Sequence, residues 1–146
     1  MARRNRIETL QRLAAQAEAE NARRLAERTR VLDTEERRLQ QIRGYLAEYS
    51  QGATRAPAMT IGSLRSGRGF LERLRGAVDE QRGTVETQRQ QVEQQTLQWR
   101  ASRARTRSLA KLVERQAREA LARRDHLEQV RLDEVANDRA ARAGKV

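Results

Sequence analysis

The sequence predicts an all-α protein in which two long helices fold back on each other as an antiparallel coiled-coil hairpin. Three observations carry that prediction. Hydrophobic residues make up 37% of the 146 positions and charged residues 35%, against roughly 45–50% and about 25% in ordinary soluble domains, so a thick globular core is excluded. A heptad repeat runs through the C-terminal half. The one proline, Pro57, stands in a glycine-containing stretch that separates the two periodic halves.

High charge and few aromatics are also the signature of disorder, and the periodicity argues against it. From Leu71 the chain can be stepped three, four, three, four without a slip as far as Val130. One set of stops is Leu71, Val78, Val85, Val92, Trp99, Thr106, Val113, Ala120 and Leu127. The alternate set is Leu74, Gln81, Gln88, Gln95, Ser102, Leu109, Gln116, Arg123 and Val130. A repeat sustained over so many positions marks a coiled-coil helix, placed at about 67–141. The glutamines at 81, 88 and 95 read as register-setting polar layers, or as a compliant middle that flexes during work.

Helix one is placed at about 5–50. Leu10, Ala14, Ala17 and Asn21 hold one register, Leu25 and Leu32 follow a phase slip, and Leu39, Ile42, Leu46 and Tyr49 restore the alternation. Gly52 reads as a left-handed cap. A loop is expected over about 51–67, with Ser63 or Ser66 capping the next helix. The whole chain, 1–146, is read as a single hairpin. Helix two is the longer, so its end should project past the start of helix one or pack on something else. Pairs such as Glu8–Arg12, Glu20–Arg24, Glu114–Arg118 and Glu119–Arg123 are spaced to support each helix.

Several function classes fall away. There is no cysteine and one histidine, His126, so sulfur-based zinc sites, thiolate catalysis and a Ser-His-Asp triad have no material. His126 reads as a helix-surface residue. Asp133 and Glu134 are sequence neighbours and point in different directions on a helix, a poor acid/base pair. No glycine-rich phosphate loop is present. No catalytic, metal or cofactor residue is assigned, and no small-molecule substrate is expected. No apolar run is long enough to span a bilayer and no signal-peptide core opens the chain, which reads as intracellular and soluble.

What remains is charge and surface. The net charge is +11, and all but two of the 31 bases are arginine. Arg100, Arg103, Arg105, Arg107, Lys111, Arg115, Arg118, Arg123 and Arg124 face only Glu114 and Glu119 within 99–124. Folded back, this segment lies beside Arg3, Arg4, Arg6 and Arg12, giving one strongly positive end with a long-range field. A protein with an acidic cavity fits it. A basic coiled-coil nucleic-acid binder is the alternative, weakened by the interspersed Glu8, Glu18, Glu20, Glu114 and Glu119 and by the lack of stacking aromatics other than Trp99. A dimer joined through the Leu71–Val130 seam is a third possibility. At the other end, Tyr45 lies off the seam and Phe70 one step before Leu71. Part of the cluster formed by Tyr45, Tyr49 and Phe70 therefore plugs the coil, while part faces out as a docking patch.

An ordered set of pieces resembles a known family. These are Glu8-Thr-Leu10 with Leu13-Ala14, then Leu39, Ile42 and Tyr45-Leu-Ala-Glu-Tyr49. After the break come Phe70-x-x-x-Leu74-x-x-Ala77-Val78, Trp99-Arg100, Arg115-Gln116, and Gln129 followed by Asp133-Glu134-x-Ala136. The chain resembles the flagellar export FliJ family, small cytoplasmic coiled-coil components of the flagellar type III export apparatus; injectisome stalk proteins share the architecture. The resemblance implies a non-enzymatic two-helix stalk, similar to the shaft of rotary ATP synthases, that enters a hexameric export ATPase and stimulates it. It further implies contacts with the membrane export gate and with empty export chaperones, at the cytoplasmic side of the inner membrane and peripheral to it. Arg3, Arg4, Arg6, Arg103, Arg107, Arg115 and Arg118 are expected toward the ATPase pore. Ile42, Tyr45, Tyr49, Phe70, Leu74 and Ala77 match the positions the family presents to the gate. Arg38 departs from a glutamine-like family position, and Gln81 stands at a polar ring position.

Overall fold

The computed structural model describes the backbone of residues 2–55 and 61–144 and the side chains of residues 2–52 and 65–144. Two helices account for almost all of this: α1, Ala2–Arg55, and α2, Ile61–Ala143. Among the described residues there is no strand, and the helices pair as an antiparallel hairpin. The chain divides into two compact units, one of Met1–Gln16 with Arg103–Val146 and one of Ala17–Ser102.

In the Ala17–Ser102 unit, partners ascend along α1 as they descend along α2. Tyr49 meets Phe70, Glu35 meets Gln81, Glu36 meets Arg89, Arg28 meets Gln91, and Asn21 meets both Gln95 and Ser102. Leu39, Val78 and Val85 are the buried cluster, 8%, 5% and 3% exposed, with Leu32, Ile42 and Leu46 packed against it. Burying side chains of this kind is worth about 1.5–3 kcal/mol each, which concentrates the stability of the unit here.

The polar layers differ from one another. The Gln81 amide donates to the Glu35 carboxylate at 2.6 Å and to its backbone carbonyl at 3.0 Å. The Gln95 amide donates to the Asn21 side-chain oxygen at 3.3 Å, and the Asn21 amide donates to the Ser102 hydroxyl at 2.7 Å. Gln88 Oε1, by contrast, is buried with no hydrogen-bond partner. Two layers are keyed to one specific opposite residue, and the middle layer is not.

In the other unit Ile7 and Ala14 are buried, at 8% and 7% exposure. The Thr106 hydroxyl donates to the Ala14 carbonyl at 3.4 Å, which fixes the level of the two helices there. On α2 the stops Thr106, Leu109, Val113 and Gln116 are partly buried, and every residue from 117 to 144 is exposed. Ala120, Arg123, Leu127 and Val130, expected on a seam, therefore face solvent. With Ala14 level with Thr106, Ala2 stands level with about residue 118, and α1 offers nothing to cover the rest of α2.

The seam of α1 differs from the expectation as well. Ile7, Gln11, Ala14, Glu18, Asn21, Leu25, Leu32, Glu35, Leu39, Ile42 and Leu46 are all partly or wholly buried. With Arg28 and Tyr49 they form one unbroken four-three alternation. There is no phase slip. Leu10, Leu13 and Ala17 are exposed, on a neighbouring stripe.

The ends of the helices lie beyond the glycine signals. Gly52 caps nothing, because α1 continues to Arg55 and no described glycine has a positive φ. Ser63 and Ser66 are inside α2 rather than at its start. Residues 51–55 and 61–67 are thus helical, while Pro57 lies outside the described residues. Isolated glycines cost a helix only about 1 kcal/mol each, too little by themselves to end one. Of the expected helix pairs, Arg24 bridges Glu20 at 2.6 Å. Glu8 pairs instead with Arg4 at 3.4 Å, and Arg123 donates to the Glu119 carbonyl. No bridge joins Glu114 to Arg118 among the described residues.

Candidate functional site

Two surfaces stand out, one in each unit. In the Ala17–Ser102 unit the rings of Tyr49 and Phe70 lie 4.5 Å apart between centroids and are tilted by 51°. A pair in this geometry contributes about 0.5–1.5 kcal/mol beyond its burial, so it closes this stretch of the seam. Both rings nevertheless keep 47% and 40% of their surface in water, and Tyr45, one turn before Tyr49 and off the seam, keeps 62%. Ile42, Leu74 and Ala77 are partly buried, Ile42 packed against the core cluster. The six residues expected as one patch are therefore of two kinds. Three are exposed aromatics, and three are partly buried aliphatic side chains.

In the Met1–Gln16 and Arg103–Val146 unit, Arg3, Arg4, Arg6, Arg103, Arg107, Arg115 and Arg118 are all exposed. Residues 2–16 and 103–118 together hold ten bases against two acids, Glu8 and Glu114. With Glu8 bridged to Arg4, the excess charge is concentrated on α2 and on Arg3, Arg6 and Arg12. Clustered like charges in water raise the local potential and speed the approach of an acidic partner, an effect that salt weakens. Beyond residue 118 the balance is different: five bases and six acids are interspersed to the end of α2, with Leu121, Leu127 and Leu132 exposed among them.

No group of His, Cys, Asp and Glu among the described residues is placed to hold a metal ion. Trp99 is partly buried on the seam, so it is not a stacking platform on the basic face. No described helix is long and apolar enough to cross a membrane.

Two features were not anticipated from the sequence. One is Glu35, which enters the seam as the partner of Gln81; stepping four and three backward from Leu39 reaches it. The other is the exposure of Leu10, expected on the seam but lying with Leu13 on a neighbouring stripe.

No curated protein and no solved structure matches the chain. The family model described as "Flagellar FliJ protein" matches residues 3–145. That match spans nearly all of the 146 residues, both helices included. The chain belongs to the flagellar FliJ protein family and is thereby a component of the flagellar export apparatus.

Proposed function

We propose that this protein is a non-enzymatic stalk of the export apparatus. Its arginine-rich unit enters the central pore of the hexameric export ATPase and stimulates turnover, while its exposed aromatics dock on the membrane export gate. The observation that carries this reading is the segregation of surface chemistry within a member of the FliJ family. Ten bases against two acids lie in the paired part of one unit, and three exposed aromatics in the other.

Arg3, Arg4, Arg6, Arg103, Arg107, Arg115 and Arg118 act first at long range. Their field draws the protein toward an acidic lumen, over a distance limited by a Debye length of about 8 Å at physiological salt. Once there, guanidinium forks bind carboxylates or backbone carbonyls two at a time. Tyr45, Tyr49 and Phe70 offer large, rigid rings at low entropic cost, the residue type that dominates protein–protein contacts. Tyr49 and Phe70 hold each other in place by their ring contact, and Ile42, Leu74 and Ala77 are partly buried in the same unit. Empty export chaperones are further partners, and association with the inner membrane is peripheral, through the gate.

Titration of the protein into its cognate ATPase tests the reading. ATP turnover should rise and then saturate with stoichiometry, and the rise should shrink as salt increases. A flat rate across all ratios would refute it.

A further inference from the structure

The two grooves that flank the helix pair in the Met1–Gln16 and Arg103–Val146 unit are chemically unlike. On α1 the seam is Ile7, Gln11 and Ala14. At about 100° per residue, Arg3, Arg6, Leu10 and Leu13 form a strip centred about a quarter-turn to one side, and Arg4, Glu8 and Ala15 lie on the other. On α2 the seam is Thr106, Leu109, Val113 and Gln116. There the same arithmetic places Arg105 and Leu112 on one flank, and Arg103, Arg107, Ala110 and Glu114 on the other.

Two antiparallel right-handed helices bring flanks of the same sense together. The Ala17–Ser102 unit shows the rule at work, since Glu36 and Arg89, each on the flank that corresponds to Arg4 and Arg103, are bridged at 3.3 Å. The strip with Leu10 and Leu13 therefore borders the groove of Leu112. The Thr106–Ala14 hydrogen bond sets the level, so that Leu10 and Leu13 stand opposite the stretch from Arg107 to Ala110. One groove thus carries Leu10, Leu13, Leu109 and Leu112 with Arg3, Arg6 and Arg105 along its rims. The opposite groove has no large apolar side chain.

Leu10 and Leu13 are 49% and 54% exposed, and among the described residues Arg3, Arg6 and Arg105 take part in no ion pair. A leucine-lined groove with cationic rims and a large surplus of positive charge around it complements one occupant best. We propose that it binds an acidic amphipathic helix of another protein, making a local three-helix bundle. Leucine-type side chains of the incoming helix, three and four residues apart, would cover Leu10, Leu13 and Leu112. Its flanking carboxylates would meet Arg3, Arg6 and Arg105. The groove shares Arg3 and Arg6 with the surface assigned to the ATPase, but its test uses no ATPase, so the two readings fail separately.

The probe is a fluorescein-labelled synthetic helix of about 15 residues, roughly the span of the groove with a turn to spare, carrying leucines at that spacing and glutamates on both flanks. A second peptide keeps every glutamate and replaces the leucines with glutamine. Fluorescence anisotropy on the full chain should show the leucine peptide binding about tenfold more tightly than its charge-matched counterpart. The double variant Leu10→Gln, Leu13→Gln should erase that preference while leaving the far-UV circular dichroism unchanged. Leu127→Gln with Leu132→Gln, on the uncovered part of α2, should leave the preference intact. Equal affinity for the two peptides would overturn the proposal, as would a preference that survives Leu10→Gln, Leu13→Gln. A mass that doubles with concentration and falls back in that variant would give the groove to a second copy and overturn it too.

Discussion

Gln88→Leu should make the protein more stable, and Gln81→Leu should not. Both replace a glutamine in the same set of seam positions with an apolar residue of similar size. The difference lies in what each amide does. Gln88 Oε1 is buried without a partner, and such a group costs about 1–3 kcal/mol in lost solvation. Leucine removes that cost and adds an apolar contact between the layers of Val85 and Val92, so the gain should be about 1–3 kcal/mol. Gln81 holds two hydrogen bonds to Glu35, at 2.6 and 3.0 Å. Its loss leaves a carboxylate whose side chain is only 15% exposed, supported by Arg38 at 3.2 Å. Hydrogen bonds to charged groups are worth about 1.5–3 kcal/mol, which offsets or exceeds what leucine gains. Thermal unfolding followed by far-UV circular dichroism separates the two, at about 2–4 °C per kcal/mol for a chain of this size. A lower midpoint for Gln88→Leu, or equal upward shifts for both variants, would refute the distinction between a keyed layer and an unkeyed one.

Leu39→Ala should cost about 2–5 kcal/mol, because Leu39 is 8% exposed in the buried cluster, whereas Leu127→Ala, at 68% exposure, should leave the urea midpoint nearly unchanged. Gly83→Ala should raise the thermal midpoint by the equivalent of about 1 kcal/mol, since a Cβ there meets nothing within 4 Å and helix propensity improves. Tyr45→Ala should leave unfolding unaffected, while Tyr49→Ala should cost about 1 kcal/mol or more by breaking the ring pair with Phe70.

The seam of α2 was legible because its apolar residues recur at heptad positions from Leu71 to Val113 with polar residues at fixed places between them. The seam of α1 was legible from Leu25 to Tyr49, and before that at Ala14 and Asn21, which are wholly or partly buried as expected. Between and before them Gln11 and Glu18 occupy seam positions, and a reading that tracks apolar side chains takes Leu10 and Ala17 from the adjacent stripe instead. Carrying the alternation backward from Leu25 reaches Ile7 directly. Gly52 marked the end of α1 too early, because α1 runs on to Arg55 and an isolated glycine costs a helix only about 1 kcal/mol. Leu127 and Val130 keep the heptad spacing with nothing opposite. Periodicity identifies a face and says nothing of how far a partner reaches. At the surfaces, the arginines were legible as charge, and Tyr45 as a residue off the seam. The groove of Leu10 and Leu112 was not, since it needs the relative level of two helices, which the Thr106–Ala14 contact supplies.

The division of labour between the two surfaces is tested most directly by measuring ATPase stimulation and motility on the same two variants. Arg103, Arg107 and Arg115 changed together to glutamine should lose most of the stimulation at moderate salt while keeping the helical signal. Tyr45, Tyr49 and Phe70 changed together to alanine should keep the stimulation and impair motility. Loss of stimulation in the aromatic variant, with its helicity intact, would contradict the account.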